Sequence, residues 1–273
     1  MLQSRLQAGM VLQKPNAFPQ SSHEFPTMSI SQNAHTVKQF DLMLANLRNL
    51  VLEMGGLVEE QLKKAIYALN EEDLIAAREV IARDRVVNGL QVKADEETIA
   101  LIALRQPVGS DLRMIMSFFN TASDLERIGD GAKKIARMTV QIYDSVSSPP
   151  SAALLRDVGP TAELAQEMLH GCLEALTRLD VAKALQIARG DDELDQEFQS
   201  ALRRLITYMM EDSRVIGHAI HVIFIIKALE RVGDHCKNIA EHITYLVEGK
   251  DIRQAKIEPT LAEPAPEALE RQP

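Results

Sequence analysis

Apolar residues recur along most of the chain at spacings of three and four. From residue 36 to 69 the line Phe40, Leu44, Leu47, Val51, Met54, Val58, Leu62 and Ile66 keeps a period near 3.5. That period is the mark of a helix with one buried face. Asn70 and Asp73 are cap-type residues and open a second helix over about residues 71–104. Pro107 interrupts the pattern and Ser110 restarts it, giving a third helix to about residue 144. Ser147, Ser148, Pro149 and Pro150 form the clearest linker. A fourth helix is expected over residues 151–179. Asp180 caps a fifth that ends near residue 212, and a sixth runs over 215–247, before Gly249. At 1.5 Å per residue each helix is about 45 Å long, and short connections make sequential helices antiparallel neighbours. The pattern predicts an all-α fold of two tandem three-helix bundles.

The ends read differently. Residues 1–33 carry Pro15, Pro19, Pro26 and several Ser and Gln, and are expected to be a disordered leader, with Met28 as an alternative start. Residues 250–273 carry Pro259, Pro264, Pro266 and Pro273 and are expected to be a disordered tail. The expected organisation is a first repeat at 34–146, a linker at 147–150 and a second repeat at 151–249.

Composition sharpens the picture at three points. Apolar residues make up 46% of the chain, enough for a substantial core, while the net charge of −9 opposes a nucleic-acid partner. The first 30 residues lack the apolar run of a secretory signal, and the longest apolar stretch, 219–226, is far too short to span a bilayer. A soluble, cytoplasmic protein is therefore expected. Cys172 and Cys236 stand far apart in no CxxC spacing, which predicts two reduced core thiols rather than a disulfide or a thiolate metal site.

An internal repeat carries the strongest signal. Residues 125–136 read LERIGDGAKKIA and residues 229–240 read LERVGDHCKNIA, with eight of twelve positions identical at an offset of 104. Upstream, DRVVN at 84–88 aligns with DDELD at 191–195 at an offset of 107. The chain reads as a duplicated three-helix unit. Glu126 and Asp130 share a helix face, as do Glu230 and Asp234, and like charges at this spacing repel. Heptad steps back from Glu126 reach Phe119 and Leu112, and from Glu230 they reach Ile223 and Ile216. Each acid thus continues an apolar stripe, and a partly buried carboxylate needs a partner. Gly129 and Gly233 sit inside helices, where glycine costs about 1 kcal/mol relative to alanine. A close approach by the second or fifth helix, which carry Asp84 or Asp191 and Asp195, would account for them.

Two readings of the acids compete. In one, Arg127, Lys133, Arg231 and Lys237 neutralise them in surface networks. In the other, carboxylates from two helices of each bundle hold a cation, and all-oxygen ligation suits hard or borderline ions such as Mg, Mn or Fe.

The strings ALRQPVGSDLR (103–113), DLERIGD (124–130), TYMMEDSR (207–214) and LERVGD (229–234) resemble the PhoU family in order and spacing over roughly residues 35–251. The resemblance implies two three-helix bundles side by side, each with an acidic ExxxD motif that can hold iron or zinc clusters or other divalent cations. It places Glu126 and Asp130 in a first site and Glu230 and Asp234 in a second. Asp84 contributes to the first from a neighbouring helix, and Asp191 and Asp195 to the second. The ion would be Fe, Zn, Mn or Mg. Asn88 departs from the pattern, standing where the second repeat has Asp195, so the first site is expected to be the weaker. Lys134 and Asn238 stand where a longer acidic run would continue. The resemblance further implies a non-enzymatic negative regulator, an adaptor between the ATPase subunit of a phosphate ABC transporter and a sensor histidine kinase. Such a protein meets the membrane through its partners and is expected to be a homodimer.

Other constellations are thinner. His218 and His221 read as a solvated or capping pair near the start of the sixth helix, and His235, beside Asp234, as an auxiliary-ligand candidate. A carboxylate-bridged di-metal oxidase needs two ExxH motifs, and the chain has one, Glu167–His170. No GxSxG, P-loop or HExxH motif is present. A metal-free scaffolding bundle is the remaining alternative.

Overall fold

The computed structural model describes residues 38–144 and 152–251. The expected leader at 1–33, the linker at 147–150 and the tail beyond residue 251 lie outside the described residues. Among the described residues there is no strand. Helices α1 (Lys38–Asn70), α2 (Leu74–Arg105) and α3 (Ser110–Tyr143) pack on one another as the first bundle. Helices α4 (Ala152–Leu155), α5 (Val158–Arg178), α6 (Val181–Glu211) and α7 (Ile216–Glu248) make the second, with a 3-10 turn at Ser213–Val215.

Local chemistry sets the ends. The Asp73 carboxylate accepts from the amides of Ile75 and Ala76 at 2.9 and 3.0 Å, and Asp180 accepts from Lys183 N at 3.0 Å. Both side chains satisfy orphan amides of a first helical turn. All eight apolar positions of the 40–66 line are buried. The expected fourth helix is broken. Pro160 offers no amide to the carbonyl of Arg156 and crowds it, so the chain turns at Arg156 and Asp157 between α4 and α5. The Asp157 carboxylate, buried at that break, is held by Arg204 Nε at 2.8 Å.

The two bundles join chiefly along α3 and α7, with α1 and α5 in a second contact. α3 and α7 run antiparallel. Arg113 Nε donates to Leu246 O at 3.2 Å near one end, and the Lys134 ammonium lies 5.0 Å from the Phe224 ring centroid toward the other.

The two motif glycines prove unequal. At Gly233 an added methyl would overlap Cδ2 of Leu194, a fully buried residue of α6. At Gly129 the nearest atom to such a methyl is Val87 Cγ1 of α2, at an ordinary 3.5 Å. Gly233→Ala is therefore expected to destabilise by about 1–2 kcal/mol through overpacking, while Gly129→Ala stabilises by up to about 1 kcal/mol through helix propensity. Urea unfolding of the two variants checks this, and equal shifts would remove the packing explanation.

Candidate functional site

In the second bundle α6 presents Asp191 and Asp195, and α7 presents Glu230 and Asp234. Each pair is spaced by four, so each shares a helix face. Asp195, Glu230 and Asp234 each offer an oxygen, and these lie within 4.8 Å of one another. Asp195 is exposed at the rim of a groove, Asp234 is half-buried, and Glu230 is only 8% exposed. Glu230 Oε1 pairs with Lys227, whereas its buried Oε2 has no hydrogen-bond partner. Burial first, then the charges of Asp234 and Asp195, push the Glu230 carboxyl up against the pull of Lys227. Asp234 is likewise pushed up, by burial and then by Asp191 and Asp195. Crowded, partly desolvated carboxylates with an orphan oxygen form a set that a divalent cation can complete. The donors are all oxygen, which suits hard ions.

Asp191 stands apart from the three. It is buried, and Lys237 Nζ meets its Oδ2 at 2.7 Å.

The first bundle repeats this lysine contact. Lys133 Nζ lies 2.6 Å from Oδ2 of buried Asp84 and 3.4 Å from Oδ1 of Asp130. Glu126 is half-buried, with Oε2 3.6 Å from Arg127 Nε. Burial, and then Asp130, push its carboxyl up, and Asp84 adds to the effect. Asn88 supplies an amide where Asp195 stands in the second repeat, and its Oδ1 has no hydrogen-bond partner. The two repeats thus share an acid–lysine pair, Asp84–Lys133 and Asp191–Lys237. They differ in the carboxylates left over. The heptad stripes behind the acids run at the bundle rim: Phe119 and Ile223 are half-buried, Leu112 and Ile216 exposed.

One cluster went unmarked by sequence reasoning. Asp124 of α3 accepts from three donors of α7: His235 Nδ1 at 2.8 Å, Asn238 Nδ2 at 3.2 Å and His242 Nε2 at 3.0 Å. This network ties one bundle to the other. Asp124 and Glu126 are two positions apart, so on a helix they point to nearly opposite sides. That offset, inside the DLERIGD string, was the available signal. His235, the auxiliary-ligand candidate, turns its Nδ1 to Asp124 and is not among the grouped donors Asp195, Glu230 and Asp234.

The remaining candidates resolve simply. His170 of the lone ExxH motif turns to Glu59 Oε1 of α1 at 2.9 Å. His218 and His221 gather no third ligand-type residue among the described residues. Cys172 and Cys236 are free and fully buried, and burial raises both thiols. Among the described residues no helix is long and apolar enough to cross a membrane.

Comparison with known proteins agrees with this architecture. The PhoU domain family matches twice, at residues 51–139 and 161–243, once per bundle. The phosphate-specific transport system accessory protein PhoU of Escherichia coli (strain K12) is 41% identical over 225 residues, 82% of this chain and 92% of that protein. The PhoU homolog of Pseudomonas aeruginosa is 42% identical over 219 residues, 80% of this chain and 89% of that one. The crystal structure of PhoU from Pseudomonas aeruginosa superposes with a TM-score of 0.73 at 41% identity, covering 78% of this chain and 100% of that one. The phosphate transport system regulatory protein PhoU from Streptococcus pneumoniae gives a TM-score of 0.70 at 32% identity, covering 78% and 99%. The chain belongs to the PhoU family, whose members are accessory and regulatory proteins of phosphate transport and not catalysts.

Proposed function

We propose that the protein restrains phosphate uptake and phosphate-starvation signalling in the cytoplasm, as an adaptor between the ATPase subunit of a phosphate ABC transporter and a sensor histidine kinase. The observation that carries this reading is the match of both repeats, in order, to phosphate-specific transport accessory proteins at about two-fifths identity. An adaptor holds a kinase off by binding its inactive form more tightly than its active one. Full reversal from 1:99 to 99:1 needs about 5.5 kcal/mol of differential affinity. Helices of 31–34 residues on both bundles offer long rigid faces for that, and no turnover is required. A homodimer is the assembly we propose, with membrane contact only through the partners.

Asp195, Glu230 and Asp234 would hold the cation, with Asp191 behind them. A cation there would relieve carboxylate repulsion and cross-link α6 to α7. Asp84, Glu126 and Asp130 would form the weaker first-repeat counterpart. The scaffolding alternative predicts no bound metal after tag-free purification, and the oxidase alternative predicts oxygen consumption. The single ExxH histidine, bonded to Glu59, disfavours the latter.

The test is a phosphatase reporter in a deletion strain grown in high phosphate. Deletion is expected to leave the reporter on, and the wild-type gene to turn it off. Glu230→Ala with Asp234→Ala is expected to restore repression only partly, with helicity unchanged by circular dichroism. The reporter staying off in the deletion strain would end the regulator reading. Full repression by the folded double variant would end only the role given to the acidic site.

A further inference from the structure

The repeats differ in one more respect. Lys227 of α7 pairs with Glu230 Oε1, inside the carboxylate cluster, and its ammonium lies 5.1 Å from the ring centroid of Phe198 on α6. At the offsets of 104 and 107, the first repeat has Ser123 in place of Lys227 and Gln91 in place of Phe198. The lysine and the ring that holds it therefore occur together, in the repeat that gathers three carboxylates.

We propose that Lys227 is a built-in competitor of the cation at the Asp195–Glu230–Asp234 site: its ammonium, held against Phe198, pairs with Glu230 when metal is absent and swings out to solvent when metal binds. This rests on the reading of that cluster as a cation site. Two cations cannot share Glu230 Oε1 without strong repulsion, because the carboxylate is buried and poorly screened. The lysine has somewhere to go. Its side chain is 44% exposed, so the stem can carry the ammonium from Glu230 out to solvent, while the Phe198 face helps to hold it in place until then. Lys133 and Lys237 differ in kind, because their short contacts, 2.6 and 2.7 Å, are to the deeper Asp84 and Asp191, with Asp130 only a longer second contact of Lys133 at 3.4 Å. The consequence is an affinity held below what three carboxylates would otherwise give. The site then fills only when free divalent ion is abundant.

Arg203 provides the control. It lines the same groove but directs its guanidinium to Ser200 Oγ at 3.2 Å. Removing it takes away one positive charge without freeing a carboxylate.

The experiment uses chelator-stripped full-length protein and Mn²⁺ in equilibrium dialysis. Lys227→Met is expected to bind about tenfold tighter than wild type, the worth of a partly buried ion pair. Arg203→Gln is expected to change affinity by no more than about threefold, as a screened surface charge. In parallel, acetic anhydride labelling read by mass spectrometry follows Lys227 in the wild type. Saturating Mg²⁺ is expected to raise its labelling several-fold, with exposed Lys93 unchanged as reference. Equal Mn²⁺ affinities for wild type and Lys227→Met would overturn the proposal, and so would an equal gain in Arg203→Gln or Lys227 labelling indifferent to Mg²⁺. If neither wild type nor Lys227→Met binds Mn²⁺, the cation-site reading falls and takes this proposal with it. If wild type binds and Lys227→Met binds no tighter, only the competitor role falls.

Discussion

Asp124→Ala is expected to lower the unfolding free energy by about 3 kcal/mol, measured by urea denaturation with circular dichroism. One carboxylate serves three donors from the facing helix, His235, Asn238 and His242. Both histidine side chains are largely buried, at 16% and 15% exposure. An ionised carboxylate only accepts, so His235 must carry its proton on Nδ1 and His242 on Nε2. Alanine leaves all three donors without an acceptor, and each buried orphan costs about 1 kcal/mol or more. Asp124→Asn keeps one acceptor oxygen and should lose about half as much. A loss below about 0.5 kcal/mol for alanine would mean that apolar packing alone joins the bundles.

The same network sets an acid limit. Burial alone would raise the Asp124 carboxyl, but hydrogen bonds from His235, His242 and Asn238 outweigh burial and hold it at about 2, below the ordinary 3.8. A depressed carboxylate stabilises the fold above its unfolded pKa, and that stability is lost as pH falls through the folded value. The Asp124 contribution is therefore complete above 3.8 and fades toward about 2. Over that window wild type should lose stability faster than Asp124→Asn, whose amide does not titrate.

The helices could be read from the chain because their faces are continuous. The 40–66 line is buried throughout, since α1 packs against α2 and α3 along its length and an uninterrupted core leaves an uninterrupted period. The fourth helix differs from its pattern because apolar spacing extends across Arg156 while the helical hydrogen bonding, lacking an amide at Pro160, does not. The acids came from the repeat, and so did the asymmetry at Asn88 and Asp195. The sequence left the lysines undecided. Lys133 and Lys237 align, but whether they point to solvent or to Asp84 and Asp191 depends on how α2 meets α3 and α6 meets α7. Asp124 was the real omission. Its partners lie 111–118 residues away on the other bundle. Periodicity within one helix carries no information about that pairing.

Lys133→Met should be nearly as costly as Asp124→Ala, at about 3 kcal/mol, because it strands Asp84. Asp84 is 2% exposed, its Oδ1 has no hydrogen-bond partner, and Lys133 Nζ at 2.6 Å is what Oδ2 holds. A buried pair differs from its broken halves. Taking two charges out of water consumes most of their attraction, so replacing both by apolar groups is often near neutral, while removing one leaves a bare charge. Lys133→Met combined with Asp84→Leu should therefore recover most of the loss, with a coupling of about 2–3 kcal/mol in the double-mutant cycle. The second repeat supplies an internal comparison. Lys237 is 37% exposed against 19% for Lys133, so solvent screens its pair with Asp191 more and Lys237→Met should cost less. Simple additivity of the two substitutions at 84 and 133 would show that the lysine and the acid act independently. A coupling of the expected size would show that Asp84 is already committed to Lys133. In that case a first-repeat cation would find Asp84 taken and Asp130 3.4 Å from the same lysine, whereas in the second repeat Lys237 pairs with Asp191 and only Lys227 meets the cluster of three.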